Sequence, residues 1–391
     1  MMARTVARVS VVLLALLFAG CAGAAPAAPP TTAGRPPSAP AAPAPSAVAT
    51  PPLTVTPPSP GTPPALDRGR ALLARGEVAA AAAAFREALR AQPDLVDARA
   101  GLGTALAGVG DLDAAVEELR AALRRQPDAL PLRVALARVL VARQEWPAAR
   151  EELERVLSAQ PDLLDARYSL GVVRYAQGDV AGAIDAYRRV LAVEPQQLDA
   201  RYSLALVLKL AQRDAEATPE FVAAAEAGHA RAQYFAGTAY ASGLGVTRDL
   251  AAAVAWWFRA SEQGVAQADQ ALAQLRQVAL GRSRRPAAES QAALQAFADY
   301  RAGLGQQFPD VTPAADESLG GALLRLGRTS EAVPVLIREA AALSEPAARQ
   351  LETLYERGVD GQLAARDARI LAYLQSAAAE GRRAPMRPPG Q

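Results

Sequence analysis

The sequence predicts an all-α solenoid of stacked helical hairpins that follows a disordered Pro/Ala-rich tether. Three observations predict it. Pro93, Pro127, Pro161 and Pro195 are each 34 residues apart, the first three set in the same Gln-Pro-Asp frame. The phrase Leu-Asp-Ala-Arg-Tyr-Ser-Leu occurs twice, at 164–170 and at 198–204. No run of alternating apolar and polar residues marks a strand. Self-similarity at this period belongs to arrays in which each hairpin buries its apolar face only against a neighbour.

The composition narrows the function. The chain has 391 residues, with 42 basic and 40 acidic side chains and a single His and Cys. One cysteine cannot close an internal disulfide, and one His with one Cys cannot build a His/Cys zinc site. There is no asparagine, so no consensus acceptor for asparagine-linked glycans exists. A formal charge of +2 supplies no whole-chain field for nucleic acid.

The elements follow in order. Residues 1–20 have a charged start (Arg4 and Arg8), a short apolar run from Val9 to Ala19 and small residues after it. That layout is a signal peptide, and the run is too short to span a bilayer comfortably. Leu17-Phe18-Ala19-Gly20-Cys21 resembles the signal of bacterial lipoproteins, which implies a lipid on Cys21 and release of residues 1–20. Cleavage after Ala22-Gly23-Ala24 with plain secretion is the alternative. Processing at Cys21 takes two arginines and leaves 40 side chains of each sign, so membrane residence would rest on acyl chains rather than a polybasic patch. Residues 21–65 are rich in Pro and Ala and cannot form a packed core. As polyproline II at roughly 3.1 Å per residue they would reach over about 100 Å.

Residues 66–222 carry the period. The best copy is 164–197: Leu170-Gly171 in the first helix, Gly178-Asp179 at the turn, Ala183 and Tyr187 in the second helix, and Pro195 at the end. Small residues let two antiparallel helices approach, and the large ones fill the space around them. Asp179 and Asp111 are placed to cap second helices. The third copy has Gln144 in place of the turn glycine, so its turn is expected to differ. This unit resembles the tetratricopeptide repeat, which implies a helix–turn–helix stack with a concave face for partners.

Residues 223–275 change dialect. Gly237, Tyr240, Gly243-Leu244-Gly245-Val246, Asp249, Ala253 and Trp256 resemble the Sel1-like repeat, a relative with a longer loop between its helices. The resemblance implies a core role for Trp256 and an interhelical polar role for His229, and it leaves Trp257 open. Residues 276–312 read as an irregular helical connector, with a loop at 281–286 and a helix over Ala287–Leu304. Residues 313–384 read as degenerate repeats of both types, with Leu319-Gly320 through Ala332 as a half-copy. Residues 385–391 are a tail.

Motifs for chemistry are absent: Lys209 lies outside any phosphate loop, and no H-E-x-x-H or G-x-S-x-G occurs. No cofactor and no small-molecule substrate is expected. The resemblance assigns the concave face to first-helix positions, here Asp97, Ala100, Thr104 and Ala107, then Val134, Arg138 and Val141. It continues through Asp165, Tyr168, Val172 and Tyr175 to Asp199, Tyr202, Leu206 and Lys209. Arg138, Tyr168, Val172, Tyr175, Tyr202, Leu206 and Lys209 form the expected partner-binding groove. The alternative for Tyr168 and Tyr202 is that they only pack between repeats. The reading is a non-enzymatic scaffold of the bacterial envelope, lipid-anchored at the periplasmic face of the outer membrane, with an envelope protein as partner. Two rivals stand beside it. One is a carbohydrate- or peptidoglycan-binding module using Trp257. The other is a Sel1-like secreted hydrolase, which the lack of cysteines past Cys21 disfavours.

Overall fold

The computed structural model describes residues 63–359 and 362–382. The expected signal peptide, Cys21, the tether before Pro63 and the tail at 385–391 lie outside the described residues. These hold eighteen helices and no strand, and no helix among them is long and apolar enough to cross a membrane. They divide into two units, which meet in the chain at Arg213 and Asp214.

The first unit contains α1 (Pro64–Ala74), α2 (Val78–Ala91), α3 (Val96–Gly108), α4 (Leu112–Arg125), α5 (Leu130–Ala142), α6 (Trp146–Ala159), α7 (Leu164–Ala176), α8 (Val180–Val193) and α9 (Leu198–Leu210). Odd-numbered helices are the first helices of hairpins and even-numbered ones the second. The period is set by backbone sterics. A residue before proline is pushed out of the helical region. Gln92, Gln126, Gln160 and Glu194 accordingly leave their helices at φ −139°, −131°, −130° and −119°.

Each hairpin is closed by a small residue under a large one, 16 positions on. A Cβ on Gly69 would come within 2.7 Å of the Phe85 ring, on Gly103 within 2.7 Å of Leu119 Cγ, and on Gly171 within 2.6 Å of Tyr187 Cε1. Ala137 and Leu153, both buried, occupy the same positions in the third hairpin. Asp111 and Asp179 cap α4 and α8, accepting from the amides of Ala114 at 3.2 Å and Gly182 at 2.9 Å. The third turn does not differ: Gln144 adopts φ 61°, the left-handed conformation that Gly110 and Gly178 hold at 87° and 82°. A residue with a Cβ disfavours that conformation.

The hairpins are joined by an arginine at each seam. Arg99, Arg133, Arg167 and Arg201, 34 apart, each donate to the carbonyl of the proline six residues earlier. That carbonyl follows a helix end and has no helical partner.

The second unit contains α10 (Asp214–Glu226), α11 (Ala230–Ser242), α12 (Leu250–Glu262), α13 (Ala266–Ala279), α14 (Ala287–Gly305), α15 (Leu319–Arg325), α16 (Thr329–Ala341), α17 (Glu345–Arg357) and α18 (Ala368–Ala379). The helix expected over Ala287–Leu304 is α14. In α15 and α16 the 16-residue rule returns, with Gly320 under Leu336 at 2.5 Å from a notional Cβ. Between α11 and α12 the loop runs over seven residues, 243–249, against three, 177–179, between α7 and α8. The small-to-large spacing grows by the same four residues, and Gly237 packs under Trp257. Thr218 Oγ1 donates to Leu244 O at 2.8 Å and holds this loop against α10.

Two carboxylates, Glu339 buried and Glu380 half-buried, tie helices of this unit together. Glu339 accepts the amides of Leu319 and Gly320 at 2.9 Å each, satisfying donors at the start of α15. Glu380 receives both Nε and Nη2 of Arg276, at 2.7 and 2.6 Å, across 104 residues of sequence.

Candidate interaction face

In the first unit successive first helices pack against one another, α1 on α3, α3 on α5 and α5 on α7, so their outward residues share one face. Charge links the helices along it. Arg70 pairs with Asp97 at 2.6 Å and Arg138 with Asp165 at 3.4 Å, each 27 residues apart and each from one repeat to the next.

The expected groove residues separate by depth. Tyr168, Val172 and Tyr202 are buried, at 7%, 4% and 6% exposure. The Tyr168 hydroxyl lies 3.3 Å from Ser203 Oγ, and its ring stands 5.6 Å from that of Tyr187 at 48°. Burial pushes the Tyr168 phenol above its ordinary pKa, and the hydrogen bond to Ser203 only partly offsets this. These three side chains lie in the packing between helices, under the face. Arg138, Tyr175, Leu206 and Lys209 are half-buried and reach the surface. Burial also raises the Tyr175 phenol.

The tryptophan assignment reverses. Trp257 is buried, and its Nε1–H donates to Tyr234 O at 3.3 Å. Trp256 is half-buried, with the Arg259 guanidinium 4.7 Å above its ring. A helix presents neighbours about 100° apart, so only one of the two can face Gly237. The longer loop decides which. Trp257 is therefore not available to line a carbohydrate groove. His229 caps α11, its Nδ1 accepting from Ala232 N at 3.1 Å. Among the described residues no three His, Cys, Asp or Glu side chains converge as a metal site would need.

Sequence reasoning passed over the seam arginines, although their spacing was the available signal. A single helix does not say that Arg99 reaches back to Pro93.

Comparison with known families decides what the array is. The tetratricopeptide repeat family matches residues 66–129, 134–197 and 174–228. These residues form tetratricopeptide repeats. The repeats account for the 34-residue period and for the row of first helices that bears Arg138 and Tyr175. Among solved structures, a crystal structure of MamA protein is 25% identical, covering 44% of this chain and 93% of that one, with a TM-score of 0.39. MamA 41-end from Desulfovibrio magneticus RS-1 is 20% identical, covering 42% of this chain and 96% of that one, with a TM-score of 0.40. No curated protein matches the chain.

Proposed function

We propose that the chain is a non-enzymatic scaffold of the bacterial cell envelope. In this reading a lipid on Cys21 holds it at the periplasmic face of the outer membrane. The tether then presents the tetratricopeptide repeats to a polypeptide of an assembly, secretion or polysaccharide-export machine. The observation that carries the reading is the row of first helices, on which Arg138, Tyr175, Leu206 and Lys209 reach the surface over a buried layer of Tyr168, Val172 and Tyr202. A rigid floor with aromatic, aliphatic and cationic side chains suits an extended or helical peptide segment. Residues 223–275 belong to the same reading as a Sel1-like unit, supported by the seven-residue loop before α12.

Crosslinking capture from native envelopes, with the full chain as bait, tests it. Tyr175→Ala combined with Leu206→Ala should lower recovery of the partner by roughly tenfold or more at unchanged helicity. Equal recovery would move the binding face elsewhere. Cys21→Ser should release the protein from membranes, and unchanged membrane residence would overturn the lipid anchor.

A further inference from the structure

One position breaks the repeat away from the first-helix face, on α8. Residues 118, 152, 186 and 220, each 34 apart, read Glu, Glu, Ala and Glu. In the two earlier seams the glutamate has a defined task. Arg99 Nη1 donates to Glu118 Oε2 at 2.9 Å, and Arg133 Nη1 donates to Glu152 Oε2 at 2.6 Å. Arg167 is the next seam arginine and keeps its bond to the Pro161 carbonyl. Ala186 stands where its glutamate would be.

Arg167 and Ala186 line an open cleft of about 530 Å³, together with Arg174, Arg189, Leu157 and Leu170. Two acids also border it, but each is engaged. Glu154 pairs with Arg150 at 2.7 Å, and Asp185 with Arg189 at 3.0 Å. Arg174 is less well served. Its Nη1 donates to Gly182 O at 3.3 Å, but its nearest carboxylates, Glu154 and Asp179, stand at 3.9 Å, and its buried Nε has no hydrogen-bond partner among the described residues. A buried donor without an acceptor is costly, and a guanidinium is best satisfied by a carboxylate. Two arginines therefore face a cleft whose equivalents upstream are filled by the chain's own carboxylates.

We propose that this cleft is a carboxylate-binding site, in which a ligand's carboxylate takes beside Arg167 the place that Glu118 and Glu152 take beside Arg99 and Arg133. Arg174 supplies the second donor, and the half-buried Leu157, over the buried Leu170 and Ala186, meets a short methylene stem. The ligand class is a carboxylate on such a stem, borne by a glutamate side chain of a bound polypeptide or by a free dicarboxylate. The site is separate from the first-helix face: Arg167, Leu170 and Arg174 project from α7 away from Tyr168, Val172 and Tyr175.

The arginine Nε–H resonances of the full chain report directly on the site, assigned through Arg167→Lys and Arg174→Lys. Titration with glutarate should shift the resonances of both residues saturably. Ala186→Glu restores the internal partner and should weaken glutarate binding by roughly tenfold, with a melting temperature no lower than that of the parent chain. Arg167→Gln should weaken it similarly, and it serves if Ala186→Glu does not fold. A peptide with one central glutamate separates the two sources. Binding about tenfold tighter than glutarate identifies a polypeptide side chain, and equal binding a free acid. Absence of saturable shifts with either probe, or equal affinity in both variants and the parent, overturns the site.

Discussion

Gly171 lies against the ring of Tyr187 so closely that a Cβ there would come within 2.6 Å of Cε1. The opposing effects differ in size. Alanine in a helix interior gains about 1 kcal/mol over glycine, whereas overpacking a core contact costs roughly 1–3 kcal/mol. Tyr187 is fully buried and has nowhere to withdraw. Gly171→Ala should therefore destabilise the array. The third hairpin supplies the remedy, since Ala137 and Leu153 occupy these positions there. Gly171→Ala with Tyr187→Leu should recover stability beyond the sum of the single changes. Urea denaturation of the four chains gives the coupling directly. Additive effects would show that the two residues do not touch.

Gln144 holds φ 61° in a turn where two neighbouring repeats have glycine. The left-handed conformation costs a non-glycine residue about 1–2 kcal/mol. Glycine brings back an unfolded-state entropy penalty of roughly 0.5–1 kcal/mol. The balance favours Gln144→Gly by about 0.5–1 kcal/mol, and a higher melting temperature is the expected outcome. A lower one would mean that the side chain of Gln144 contributes more than its backbone strain costs.

Trp256 and Trp257 should separate cleanly on truncation. Trp257→Ala removes a buried ring from above Gly237, at about 3–5 kcal/mol. Trp256→Ala loses a half-buried stack with Arg259, at about 1 kcal/mol. Denaturation midpoints of the two variants check the order, and the reverse order would return the core position to Trp256.

These tests also mark what could be read from sequence. Proline at 93, 127, 161 and 195 acts through local sterics, so the helix ends were legible. The caps at Asp111 and Asp179 were legible for the same reason. That Gly171 and Tyr187 belong to the contact between the two helices followed once the period was known, though not that one lies under the other. Trp257 was not legible, because four extra loop residues shift which face of α12 meets Gly237, and loop length changes register without changing composition. The depth of Tyr168 and Tyr202 depends on how closely neighbouring helices cover them, which no single repeat encodes. Arg276 and Glu380 lie 104 residues apart and share no local signal. The candidate site was thus legible as a face, while the division between its floor and its surface was not.

The Arg276–Glu380 pair gives the second unit a pH dependence of defined sign. Burial alone would raise the Glu380 carboxyl, but hydrogen bonds and charge from Arg276 and Arg382 outweigh it and hold the carboxyl below its ordinary range. The folded chain thus protonates Glu380 less readily than the unfolded chain does. The pair stabilises the fold above the ordinary glutamate pKa of about 4.3, and that contribution is lost as pH falls through the folded value. Glu380→Gln should cost roughly 2–3 kcal/mol near neutrality, since Arg276 would remain buried without its counter-charge. The gap to the parent chain should close as pH falls below about 4. Glu339 has the opposite sign. Burial raises its carboxyl above the ordinary range despite the amides of Gly320 and Leu319. Its contribution is present at low pH and declines as pH rises through the folded value, so Glu339→Gln should gain on the parent chain toward neutrality. Urea midpoints of the three chains from acid to neutral pH test both signs at once. A Glu380→Gln deficit that stays constant across that range would assign the contact to packing rather than to charge.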